Sequence, residues 1–122
     1  MAKKILMVED DVLLINMYST KFASEGYEVI SAQDGLAGLT MAMSNKPDII
    51  VLDIMMPKLS GLDFLQKLRS DAWGQSVPVI VLSNLSQEGD ARKAIALGVK
   101  EYLIKANLTP GQVSEKIKSY LT

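Results

Sequence analysis

Pro47-Asp48-Ile49-Ile50-Val51-Leu52-Asp53-Ile54-Met55-Met56-Pro57 is the stretch that determines how this chain folds. Its central residues 49–52 are apolar without alternation, which is typical of a strand buried on both faces of a parallel sheet. Asp53 follows directly, and Pro57 prevents the strand from continuing. Because ligands and reactive groups collect at the carboxyl ends of strands in open α/β sheets, Asp53 is the first candidate functional residue. Taken alone, this carboxylate is more simply explained as a cap of the following turn.

An apolar run followed by a helical pattern occurs five times along the chain. The predicted strands cover residues 5–8, 27–30, 49–52, 77–82 and 102–104. The first two predicted helices cover residues 12–25 and 34–45. The third follows Ser60, the fourth runs from a cap at Ser86 to Gly98, and the fifth begins at Thr109-Pro110. The stripes expected to face the core are Leu14, Met17, Tyr18 and Phe22, then Leu36, Leu39 and Met43, then Ala91, Ala94, Ile95 and Leu97. This alternation predicts one α/β domain over residues 1–122, with a five-stranded parallel sheet and helices on both faces.

The composition narrows the possible functions. The net charge of −1 provides no basic field for nucleic acid, and the chain contains no cysteine and no histidine. Disulfides, thiolate or imidazole nucleophiles and the common zinc and haem ligands are therefore excluded, and any bound metal needs oxygen ligands. The apolar run near the N-terminus is too short for a signal peptide or a membrane span. We expect a cytoplasmic protein that binds neither membrane nor nucleic acid directly.

Polar residues follow four of the five predicted strands. Glu9 and Asp10 come after the first strand, Asp53 after the third, Ser83 after the fourth and Lys105 after the fifth. Since parallel strands end at one edge of a sheet, these side chains are expected to share a pocket. Each has an ordinary explanation alone, as a cap, a turn hydroxyl or an exposed lysine, but their common position favours a functional site.

Such a set of side chains is suited to phosphoryl chemistry. Three neighbouring carboxylates repel one another unless a hard divalent cation lies among them, and Mg²⁺ (or Mn²⁺) accepts such ligands together with phosphate oxygens. A carboxylate can be phosphorylated as the nucleophile, and Asp53 is the most central of the three. Lys105 and Ser83 could then contact the phosphoryl oxygens.

The chain resembles, over its whole length, the receiver domain of bacterial two-component response regulators. The matching pieces are residues 8–11 after the first strand, 53–57 and Gly61 after the third, Ser83 after the fourth, and Tyr102 with Lys105 around the fifth. The resemblance implies a flavodoxin-like, doubly wound sheet with strand order 2-1-3-4-5 and five helices.

The resemblance also assigns roles to residues. Asp53 would accept a phosphoryl group from a phosphohistidine of a sensor histidine kinase or phosphotransfer protein. Asp10, Asp53 and the main-chain carbonyl of Met55 would bind Mg²⁺ directly, with Glu9 acting mostly through metal-bound water. Lys105 and Ser83 would hold the phosphoryl oxygens, and Ser83 and Tyr102 would move when the site is phosphorylated.

Signalling, and not turnover of a substrate, is the activity that the resemblance implies. A phosphoryl group adds about two negative charges and biases a two-state surface. The fourth helix, fifth strand and fifth helix would form the face read by an output domain or effector, and could form a homodimer. We expect no enzyme in the ordinary sense, only catalysis of the chain's own phosphorylation and slow autodephosphorylation.

Three features depart from the family pattern. Ala106 stands where proline usually follows the lysine, and Asn84 stands where a smaller residue is usual. Met55 and Leu85 are apolar at two positions that often hold polar groups beside the attacking water. Because neither can orient a water molecule, we predict a long-lived acyl phosphate, and rapid loss of label without a phosphatase would contradict this.

Other readings of the same fold remain open. A flavin- or nucleotide-binding protein would need a phosphate-binding loop after the first strand, where Glu9, Asp10 and Asp11 stand instead. A phosphatase of the haloacid dehalogenase type would need a second acid two residues after Asp53, where Met55 stands. The main alternative is an interaction module that works without phosphorylation.

Overall fold

A computed structural model describes residues 2–84 and 88–121, with five strands and five helices in strict alternation. The strands are β1 (Lys4–Val8), β2 (Glu28–Ala32), β3 (Ile49–Leu52), β4 (Val79–Ser83) and β5 (Glu101–Ile104). The helices are α1 (Val12–Ser24), α2 (Gly35–Asn45), α3 (Gly61–Arg69), α4 (Glu88–Ala96) and α5 (Pro110–Leu121). None of the helices described combines the length and apolarity needed to cross a bilayer.

The strands form one parallel sheet in the order β2-β1-β3-β4-β5. This order and the fold class confirm the sequence-based expectation. β3 lies at the centre, with Val51 beside Met7 of β1 on one side and beside Ile80 of β4 on the other. Residues 49–52 are fully buried, as their unbroken apolar character predicted.

Side-chain caps define where the helices begin. Asp11 Oδ1 accepts a hydrogen bond from the Leu13 amide at 2.9 Å, and Asp34 Oδ1 accepts one from the Ala37 amide at 2.8 Å. Thr109 and Gln112 exchange side-chain and main-chain hydrogen bonds of 2.8 and 3.2 Å, a reciprocal cap at the start of α5. The cap expected at Ser86 lies outside the described residues.

Each face of the sheet has its own core. On one face α2, α3 and α4 cover alternate strand residues such as Leu6, Ile50 and Val81. On the other face α1 and α5 cover Ile5, Val51 and their neighbours. A helix layer on both faces leaves the carboxyl edge of the sheet accessible, which is where the polar residues stand.

Three predicted core positions are wrong. Met17, Leu36 and Ile95 are 42, 50 and 61 % exposed. In α2 the buried face consists of small residues instead, including Gly35 and Gly38. A Cβ on Gly38 would lie 2.8 Å from a Val8 methyl carbon, so the helix backbone packs directly on the sheet and turns Leu36 outward.

Some boundaries also differ from the prediction. β2 begins at Glu28 and extends to Ala32, and β4 begins at Val79, where the predicted strands covered 27–30 and 77–82. Pro78 has no N–H for the ladder, although its carbonyl accepts a bond from Ile50 at 3.0 Å. Trp73, expected in a loop, opens a short 3-10 helix and packs against the core, consistent with local packing.

Arg69, at the end of α3, connects this helix to the end of α4. Its guanidinium donates to the carbonyls of Leu97 at 2.7 Å and Gly98 at 3.2 Å, just beyond α4. It also donates to the carbonyls of Gly74 and Val77, each at 2.8 Å. Burial lowers the pKa of Arg69, but a guanidinium remains charged at any physiological pH. The side chain therefore joins three segments through their main chains.

Candidate functional site

The carboxyl ends of β1, β3, β4 and β5 bring the predicted site residues together in one pocket of about 270 Å³. Its lining consists of Glu9, Asp10, Asp11, Leu14, Asp53, Met55, Ser83, Asn84 and Lys105. Residues up to 96 positions apart in sequence thus meet, as the sheet topology predicted. Lys105 opens a short 3-10 turn directly after β5.

Asp53 is held in place by main-chain contacts on both sides. Its amide donates to the Val8 carbonyl at 2.9 Å, and its Oδ1 accepts from the Met55 amide at 3.4 Å. The next turn packs tightly, since a Cβ on Gly61 would lie 2.5 Å from the Asp53 carbonyl oxygen. Asp53 is only 8 % exposed, so the orientation of its carboxylate is fixed by the fold.

Lys105 lies between two buried carboxylates. Its ammonium group is in very close contact with Glu9 Oε1 and lies 3.4 Å from Asp53 Oδ2. The other Glu9 oxygen accepts from the Asp11 amide at 3.1 Å. The buried position of Glu9 and its contact with Lys105 were not apparent from the sequence, which indicated only a shared pocket.

Burial and charge pairing together set the ionisation of Glu9 and Lys105. Burial raises the pKa of Glu9 to about 7, although hydrogen bonds from Lys105 and from the Asp11 amide oppose the change, and the Asp53 charge raises the pKa further. Burial also disfavours the charged form of Lys105, but the hydrogen bond with Glu9 and the negative charge of Asp53 outweigh this and raise its pKa. Lys105 therefore remains an ammonium ion at neutral pH.

Glu9, Asp10 and Asp53, here called the acidic cluster, can bind a metal ion. Each offers a carboxylate oxygen, and these oxygens lie within 4.8 Å of one another. Two of the residues are buried and Asp10 is exposed, so the cluster opens to solvent on one side. Oxygen donors alone suit a hard cation, and the open side leaves room for water or phosphate ligands. The donor set therefore fits the divalent cation that the sequence predicted.

Ser83 and Tyr102 also meet at this edge. Ser83 is 1 % exposed, and it shares a side-chain hydrogen bond with Tyr102 on β5. Burial and the charge of Asp90 raise the pKa of Tyr102, while this hydrogen bond lowers it. The two residues predicted to move together are thus in contact, while their movement stays a prediction.

The pocket also involves residues that the sequence analysis did not identify as functional. Leu14 of α1 lines the pocket, and its place on an apolar stripe gave no signal of this. The sequence indicated no role for Asp11 in the site beyond its place in the loop after the first strand, although its main-chain amide donates a hydrogen bond to Glu9. Asn84 is exposed at the rim, as expected beside the site, whereas Leu85 lies outside the described residues.

A family model described as the response regulator receiver domain matches residues 5–118. This chain belongs to that family. Receiver domains are components of two-component systems, and the acidic pocket lies at the edge of the sheet where the positions of the strand ends predicted it.

Known proteins similar to this receiver differ in length. The alkaline phosphatase synthesis transcriptional regulatory protein PhoP of Bacillus subtilis is 35 % identical over 121 residues, covering 99 % of this chain but 49 % of PhoP. The chain thus spans about half the length of that relative. The polar-differentiation response regulator DivK of Brucella anthropi is 33 % identical over 121 residues, covering 99 % of this chain and 98 % of DivK.

Solved structures show the same fold. One is the receiver domain of the sensor histidine kinase PA1611 of Pseudomonas aeruginosa, determined with a magnesium ion in its active-site cleft. It superposes with a TM-score of 0.89 at 25 % identity, covering 99 % of this receiver and 98 % of that chain.

Replacing Asp10 with asparagine is expected to separate metal binding from folding. Without metal, removal of one of three close negative charges should raise the free energy of unfolding by roughly 0.5–1.5 kcal/mol. The stabilisation that we expect Mg²⁺ to give the wild type should be largely lost. Thermal melts with Mg²⁺ and with a chelator measure both effects.

Asp63→Asn is the matched control, because Asp63 is an exposed acid in the first turn of α3 outside the acidic cluster. It should retain the full Mg²⁺ response. An equal Mg²⁺ response in Asp10→Asn would show that Asp10 is not a ligand.

Proposed function

We propose that this receiver is a phosphoacceptor in which Asp53 takes a phosphoryl group from a phosphohistidine of a sensor histidine kinase or phosphotransfer protein. The main support is the position of Asp53, a buried carboxylate beside the Lys105 ammonium and within 4.8 Å of two further carboxylates. The absence of histidine from the chain is consistent with a donor in another protein.

The proposed transfer requires a short sequence of bond changes. An Asp53 carboxylate oxygen attacks phosphorus, the P–N bond to the donor imidazole breaks, and an acyl phosphate forms. Lys105 and Ser83 would contact phosphoryl oxygens and neutralise charge that develops there. Asp10, Asp53 and the Met55 carbonyl would hold Mg²⁺, or Mn²⁺ in its place, with Glu9 acting through bound water. The metal would supply positive charge where phosphate and carboxylate oxygens meet.

Phosphorylation would then act as a signal. The added charge lies beside Ser83, whose hydrogen bond to Tyr102 reaches β5. We propose that rearrangement of this pair alters the face formed by α4, β5 and α5, which an effector or output domain reads. A homodimer through this face and a cytoplasmic location belong to the same proposal, as does the absence of enzymatic turnover beyond self-phosphorylation and slow autodephosphorylation.

The test is the intact mass of the protein after incubation with a small acyl-phosphate donor. With Mg²⁺ the mass should increase by one phosphoryl group, and with excess chelator it should not. If the folded protein gains nothing with Mg²⁺, the phosphoacceptor proposal fails. The alternative, an interaction module that works without phosphorylation, would then be preferred.

A further inference from the structure

Met55 is the most solvent-accessible of the methionines whose exposure is described. The residue is 61 % exposed, compared with 42 % for Met17 and 1 % for Met7. It lines the acidic pocket beside Asp53 and also the adjoining groove formed with Met56, Pro57 and α3. Because it contributes little to the core, chemical change of this thioether would cost the fold little.

The main chain holds Met55 close to the acceptor. Its amide donates to Asp53 Oδ1 at 3.4 Å, so the main chain of Met55 is held beside this carboxylate. The adjacent turn is tightened by a 2.8 Å hydrogen bond from the Gly61 amide to the Ile54 carbonyl. The flexible thioether is thus attached to a constrained backbone at the mouth of the site.

We propose that Met55 is an oxidation site through which peroxide controls the lifetime of the phosphorylated state. Hydrogen peroxide transfers one oxygen atom to the thioether sulfur, its O–O bond breaks, and water is the second product. The sulfur is oxidised by two electrons and the peroxide is reduced by two. This inference rests on the proposed phosphoacceptor function.

The effect on hydrolysis follows from the polarity of the product. A thioether is a weak hydrogen-bond acceptor, whereas a sulfoxide oxygen is a strong one. At the mouth of the pocket it can hold a water molecule near phosphorus. When this water attacks, the P–O bond to Asp53 breaks, the carboxylate leaves, and the proton passes to solvent. One positioning hydrogen bond should accelerate hydrolysis roughly three- to tenfold.

The experiment compares each protein with itself before and after peroxide treatment. The protein is oxidised, freed of peroxide, phosphorylated with a small acyl-phosphate donor and Mg²⁺, and freed of the donor. Intact mass then follows the loss of the phosphoryl group, and peptide mapping locates the added oxygen. The variants are Met55→Leu, which cannot form the sulfoxide, Met55→Gln, which has a permanent amide oxygen, and Met17→Leu, which lacks the other methionine that is exposed among the described residues.

Oxidised wild type and oxidised Met17→Leu should lose the phosphoryl group roughly three- to tenfold faster than before treatment, the size expected from one hydrogen bond. The rate for Met55→Leu should be unchanged by peroxide, and methionine sulfoxide reductases should reverse the wild-type effect. Without any oxidant, Met55→Gln should lose its phosphoryl group faster than Met55→Leu.

Three results would overturn the inference while leaving the proposed function intact. One is an equal acceleration in Met55→Leu. The second is an unchanged rate in a wild-type sample whose Met55 is shown to be oxidised. The third is resistance of Met55 under conditions that oxidise Met17. If the untreated protein gains no phosphoryl group, the proposed function fails and this inference fails with it.

Discussion

Replacing Asp53 with asparagine is expected to abolish the Mg²⁺-dependent gain of a phosphoryl group. The amide has nearly the shape of the carboxylate and can still accept the hydrogen bond from the Met55 amide. It is a far weaker nucleophile, and it removes one charge from the acidic cluster. Intact mass with an acyl-phosphate donor measures the loss, while circular dichroism confirms that the variant is folded.

Asp48→Asn is a suitable control, because Asp48 precedes the same strand at the opposite edge of the sheet, where it accepts a 2.7 Å bond from the Lys4 amide. It should be phosphorylated like the wild type. Phosphorylation that persists in Asp53→Asn would place the acceptor elsewhere. Hydroxylamine would then distinguish an acyl phosphate, which it cleaves, from a phosphoserine at Ser83, which it does not.

Replacing Lys105 with methionine should have the second largest effect on phosphorylation. It should weaken phosphoryl acceptance and stability but strengthen Mg²⁺ binding. Phosphoryl acceptance should fall roughly 100- to 1,000-fold, as is usual when one charged group that stabilises the transition state is lost. The metal-free protein should lose about 3 kcal/mol of its free energy of unfolding, because Glu9 and Asp53 keep their burial without a cation between them.

Mg²⁺ should nevertheless bind more tightly to Lys105→Met than to the wild type, since a competing positive charge has been removed. Titration followed by calorimetry measures the affinity, and denaturant unfolding with and without Mg²⁺ measures the stability. Lys100→Met, at an exposed position before β5, should change neither quantity appreciably. Weaker Mg²⁺ binding in Lys105→Met would mean that the lysine organises the metal ligands and does not compete with the metal.

Much of the fold could be predicted because the strands have little ambiguity. Four apolar residues between Pro47-Asp48 and Asp53 leave few alternatives to a buried parallel strand. The crossover rule then restricts the topology, and topology brings Asp53 and Lys105 to one edge of the sheet. The residues that share the pocket were therefore accessible to sequence reasoning, since only their strand ends had to be located.

The helix faces were harder to predict. Helical spacing identifies a set of apolar residues, but it does not show how closely the helix approaches the sheet. In α2, Gly38 allows contact between backbone and sheet, so the large Leu36 lies beside the interface and not in it. The contact between Lys105 and Glu9 could not be predicted from the sequence either, because it depends on the length and direction of the side chains and not on where the strands end.

Arg69 has a consequence for how this receiver responds to its ionic environment. In the part of the chain that the structure describes, its four hydrogen bonds all end on neutral carbonyl oxygens. Dissolved ions screen exposed pairs of opposite charge, such as Lys21 with Glu25, but have little effect on short bonds from a half-buried guanidinium to the main chain. The junction between α3 and the end of α4 should therefore keep its geometry across the range of osmotic conditions that a cell meets.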